Sequence, residues 1–249
     1  MCPYTDAIEA MPTTDLLILA ISRQPGGLTV AGMTTERDPK TGLRWVRLVP
    51  ADEPLQLDAL RYADGALARP GDVVRLQIGE AQPASPQVEN VTVELDEPLE
   101  RVRQLPDERR TAFFEEHLDL APTEVLGGRQ RSLCLVRPDS MTATVKYDEE
   151  TDHFDTTFAV KILSGQVKED GTPKYLRSRE DIIVTDIYWR ALMRDWLVED
   201  DSLMFNEAEL RERLGEIYLV IGLSPKGGPR VLGVHSVPAY DATIDPENL

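Results

Sequence analysis

The sequence predicts a mostly β fold with some α: two tandem five-stranded barrels, residues 1–96 and 127–249, joined by an acidic helical connector at 97–126. Three observations predict it. Short β-branched or alternating runs bounded by Gly, Pro and Asp recur along the chain. Their order, three strands, a helix and two strands, occurs twice. Between the halves, Glu80 to Glu124 holds twelve Asp and Glu against four Arg, whereas Gly127 to Arg194 is close to neutral.

The first three strands are Leu16 to Ser22, Gly27 to Met33 and Leu43 to Val49, separated by turns at Gln24-Pro25-Gly26 and Pro39 to Gly42. Pro54 suits the first turn of a short helical segment through Leu55, Leu57 and Leu60, which Pro70-Gly71 ends. Asp72 to Gly79 and Val88 to Leu95 complete the first set. Glu97 to Leu120 reads as two short helices broken at Pro106, a solvated spacer in which protease should cut.

In the second half, Ser132 to Tyr147 forms one bent strand, Phe154 to Leu163 the next and Asp181 to Val184 the third. Thr185 or Asp186 then caps a helix to about residue 198, on which Trp189, Leu192, Met193 and Trp196 follow helical spacing and plug a barrel end. Arg190 is placed to pair with Asp186. A small helix at Glu207 to Leu214 precedes strands at Glu216 to Leu223 and Arg230 to Val237. This chain path is that of the oligonucleotide/oligosaccharide-binding (OB) barrel, with a single large mixed α+β domain as the alternative.

The strings LLILAISRQPGGLTVAGM, GLRWVRLVP, DIIVTDIYWRAL and EIYLVIGLS resemble signature stretches of the bacterial dual OB-containing domain family, along nearly the whole chain. That resemblance implies two OB barrels. By analogy of fold it also implies ligand or nucleic-acid binding in a bacterial defence or genome-maintenance setting.

Composition narrows the function classes. The longest purely apolar stretch, Leu16 to Ile21, is too short to span a bilayer, and Asp6 and Glu9 stand where a signal peptide carries Lys or Arg. A cytoplasmic protein without membrane contact is expected. Cys2 and Cys134 lack metal or redox spacing, and Asp148 to Asp155 fails as a calcium loop for want of Gly at its sixth position. None of His117, His153 and His235 lies in a nucleophile or metal motif. No enzyme activity, metal or cofactor is therefore expected. The net charge of −17 repels a phosphate backbone at long range, so a nucleic-acid partner requires a local cluster of cations. The same charge suits an adaptor that docks a basic protein partner; a small-ligand sensor is the third possibility.

Alternation places Trp45 and Arg47 on one face of the third strand. Either both stand outside the barrel as a stacking plane beside a charge, or Trp45 is buried and Arg47 reaches the rim. Around the second barrel, Arg129 and Arg131 lead into the first strand, while Lys161, Lys174, Tyr175, Arg177 and Arg179 flank the second and third. Basic residues interleaved with an aromatic suit phosphate contact with base stacking. These nine residues are the expected nucleic-acid-binding set.

Overall fold

The computed structural model describes residues 13–38, 42–50, 53–95, 97–127, 131–150, 153–178, 181–197 and 202–246. In the first half, β1 (Thr13–Gln24) turns through Gly26, at φ +88°, into β2 (Gly27–Asp38), which pairs antiparallel with β3 (Gly42–Pro50). A left-handed φ of this kind suits glycine, which has no Cβ to clash. A single 3-10 turn, Leu57–Leu60, follows, and its Leu60 closes the barrel end. Next come β4 (Asp72–Ala81) and β5 (Asn90–Glu94). β3 runs parallel to β5, β5 antiparallel to β4, and β4 returns to β1, so the five strands close in the order 1-2-3-5-4. This is the OB circuit.

The apolar run of β1 is buried on both faces. Leu16, Ile18 and, after a bulge, Ile21 fill the barrel, while Leu17, Leu19 and Ala20 point outward into a second core. A strand covered on both sides loses the alternation of a half-exposed one and becomes a continuous hydrophobic string.

The second half repeats the circuit. β7 (Leu133–Val136) and β8 (Ser140–Asp148), bent at Pro138, act as one strand; β8 pairs with β9 (His153–Val167), and β9 carries both β10 (Pro173–Arg177) and β11 (Ile182–Ile183). β13 (Glu216–Leu223) joins β7 to β14 (Pro229–Val237). The ring closes through the parallel bridge Val184↔Val231, backed by Thr185 N–H donating to the Val231 carbonyl at 2.8 Å. As in the first barrel, the third strand meets the fifth in parallel.

Between them lies α3 (Ile187–Trp196), capped by the buried Asp186, whose carboxylate accepts from Tyr188 N at 2.8 Å, Trp189 N at 3.1 Å and Val234 N at 2.6 Å. Asp186 is thus taken up by backbone donors, and the expected partner Arg190 instead donates to the Phe154 carbonyl at 3.0 Å. Trp189 is fully buried and donates to Thr156 Oγ1. The helix α4 (Glu207–Leu214) has a full capping box between Asn206 and Glu209. The strand β12 (Ser202–Asn206), not expected from sequence, extends the sheet beyond β8.

The connector departs from its sequence reading. Residues expected as the first of two helices form β6 (Glu100–Gln104), paired with β4, and only after Pro106 does the helix α1 (Asp107–His117) begin. Proline cannot donate within a helix, so it starts one here instead of interrupting it. α2 (Pro122–Gly127) follows. Nor is the stretch a solvated spacer: Phe114 is fully buried and Arg110 nearly so. Charge composition concealed this because the packing side chains, Leu99, Leu105, Phe113, Phe114 and Leu118, are scattered among charged ones.

The two barrels share a core. Leu17 and Leu19 of β1, Ala31 and Met33 of β2 and Trp45 of β3 pack with Leu133, Leu135, Tyr218, Val220 and Leu232 of the second barrel. The strands come so close that a Cβ on Gly233 would lie 2.2 Å from the Leu19 carbonyl oxygen. Two residues on, the His235 ring is 2.8 Å from that same carbonyl. Burial, reinforced by Arg110 and opposed by the Leu19 carbonyl, pushes the His235 pKa from 6.5 down to about 3. The native state therefore refuses a proton that the unfolded chain accepts, so this contribution to stability is present above pH 6.5 and lost as pH falls toward 3. The stability advantage of wild type over His235→Leu should shrink by about 1.4 kcal/mol per pH unit across that window, read by urea unfolding. A pH-independent difference between the two proteins would refute this.

Candidate nucleic-acid interface

OB barrels take oligonucleotides on the outer face of strands 2 and 3. In the first barrel that face is β2 and β3, and it is closed. Val46 and Leu48 line the barrel, so Trp45 and Arg47 do point outward, but outward here means into the second barrel: each is 5% exposed. Arg47 Nη2 donates to Glu89 at 3.4 Å and to Ser132 Oγ at 3.1 Å, and Arg131 lies 5.7 Å above the Trp45 ring while pairing with Asp119. Trp45 is buried, as the second expected arrangement has it, but Arg47 is buried with it and does not reach the rim. Trp45, Arg47 and Arg131 form one junction between the barrels. Ser132 and Glu89 complete it, with Glu89 also accepting from Ser132 N at 3.0 Å.

The equivalent face of the second barrel is open. Register places Tyr175 opposite Leu163 and Arg177 opposite Lys161, while the alternate pair Leu176 and Ile162 turns to the core. The Lys161 ammonium sits 4.1 Å from the Tyr175 ring centroid and also pairs with Asp139. Tyr175 is 41% exposed, and Arg177, also exposed, has no ion pair among the described residues. Lys174 alternates to the other side of β10 and so does not share this face, and Arg129 and Arg179 lie outside the described residues.

Sequence reasoning missed the rest of the surface. Leu163, Ile183 and Met204 are exposed on this sheet with Lys146 of β8, and Thr142 and Thr144 of β8 lie half-buried beside them. The alternation of β8, with Met141, Ala143 and Val145 inward, was the signal that could have found part of it. The arrangement offers one aromatic plane, two adjacent cations and an apolar, threonine-lined sheet, which suits stacking and phosphate contact along a strand.

Of the other reactive groups, Cys134 is withdrawn from solvent and His117 is half-buried. The Cys134 thiol is buried and its pKa raised, chiefly by that burial. His117 Nδ1 is 2.7 Å from the Phe113 carbonyl. Among the described residues no helix is long and apolar enough to cross a membrane.

No curated protein matches the chain. The family model described as the dual OB-containing domain matches residues 14–167, which span the first barrel, the connector and β7 to β9. The resemblance read from sequence ran further, into α3 and β13, and the structure shows those later elements completing a second circuit of the same kind. With well over half its length matched, the chain belongs to the dual OB-containing domain family.

Proposed function

We propose that this protein is a non-enzymatic nucleic-acid-binding module that holds single strands on the β9–β10 face of its second barrel. The cluster of Lys161, Tyr175 and Arg177 carries the reading, because it occupies the ligand face of an OB barrel while the matching face of the first barrel is consumed as an interface. A bacterial defence or genome-maintenance setting is supported by the family resemblance alone. The adaptor reading, with a basic protein partner, is supported by the net charge of −17.

With so few cations in an acidic molecule, binding should be confined to low salt and fall steeply as salt is added. Fluorescence anisotropy with short single-stranded DNA and RNA, and duplex controls, tests this. Tyr175→Ala combined with Arg177→Glu should weaken single-strand binding by about tenfold or more, since stacking on one aromatic is worth about 1–3 kcal/mol. Failure of every probe to bind at low salt leaves the adaptor reading in its place.

A further inference from the structure

Outside that face, the molecule has a cleft of about 500 Å³ where α1 leans on the first barrel. Leu17, Met33 and Val73 supply its floor, and Leu105 and Phe113 its apolar wall. The volume suits a small molecule, not a polymer. Three features define the occupant. Phe113 stacks on His117 with ring centroids 4.4 Å apart and planes 26° apart, so the wall presents aromatic surface. Arg103 and Arg109 are exposed on the cleft lining, and neither has an ion pair among the described residues. By contrast, Arg37 on the same lining is neutralised by Glu116 at 2.9 Å. Two uncompensated guanidiniums beside an apolar, partly aromatic slot, in a chain of net charge −17, select a planar group attached to an anion.

We propose that this cleft binds a mononucleotide, its base against Phe113 and the apolar floor and its phosphate held by Arg103 and Arg109. The site lies on the first barrel and the connector, so it is independent of the β9–β10 face and does not require that face to bind nucleic acid. α1, through Phe113 in the cleft and Phe114 in the inter-barrel core, joins the site to the barrel junction.

Isothermal titration of the full chain with the four ribonucleoside monophosphates, adenosine and inorganic phosphate tests the proposal. Saturable binding of at least one monophosphate is expected, with adenosine and phosphate each weaker. Arg103→Ala with Arg109→Ala should weaken it by about tenfold or more, as loss of two charge-assisted contacts implies. Phe113→Leu, which keeps apolar volume and removes the ring, should weaken it with circular dichroism and Tm retained. Arg177→Glu should leave it unchanged. The proposal is overturned if no monophosphate binds at low salt, if binding survives the arginine replacements, or if it is lost in Arg177→Glu.

Discussion

Glu89→Ala should lower stability by about 3–5 kcal/mol, the cost of leaving a buried charge without its partner. The Arg47 and Glu89 side chains are 6% and 5% exposed, and burial already depresses the Arg47 pKa, with only the neighbouring Glu89 carboxylate holding it up. Glu89 also binds the backbone N–H and hydroxyl of Ser132, which immediately precedes β7, so its loss removes a polar tie between the two barrels. Urea unfolding monitored by Trp fluorescence measures the loss. Replacing both charges, as Arg47→Met with Glu89→Leu, should recover much of it because no orphaned ion remains. A change below about 0.5 kcal/mol for Glu89→Ala, the ordinary range of surface substitutions, would return Arg47 to the candidates for ligand contact.

Phe114→Ala should cost about 3–5 kcal/mol, the range for deleting a buried aromatic ring. Phe114 is fully buried, stacks on Tyr218 with centroids 4.7 Å apart and lies 4.9 Å from the His235 ring, so one side chain of the connector is seated on β13 and β14. The effect should reach beyond stability. In the wild type the backbone of β6 is paired with β4 and Arg110 of α1 is buried, so trypsin should cut this stretch slowly even though the Arg103 side chain is exposed. In Phe114→Ala, α1 loses its anchor and cleavage between residues 97 and 122 should accelerate at temperatures where the barrels persist. Equal cleavage rates in the two proteins would show that α1 is not held by this ring.

These two residues mark where sequence reasoning stopped. The strand order was legible because it is written locally: apolar runs end at Pro25-Gly26 and Pro70-Gly71, and the pattern recurs after residue 127. The cap at Asp186 and the helix at Glu207–Leu214 were legible for the same reason, since capping side chains satisfy backbone donors two or three residues away. Lys161, Tyr175 and Arg177 could be listed as candidates, but only the register of β9 and β10 showed that they share a face from which Lys174 is excluded. Met204 entered through β12, whose pairing with β8 closes a gap of more than fifty residues.

The sequence by itself determined the elements and the side of each strand on which a residue stands, because hydrogen bonding and alternation repeat over a few residues. Alternation put Trp45 and Arg47 on one face of their strand, and the structure turns that face outside the barrel. Whether that outside met water or another barrel depended on Ser132, Leu135 and Tyr218, far along the chain, and only the tertiary structure decided it. Burial is a property of what packs against a face, and no local pattern records the partner.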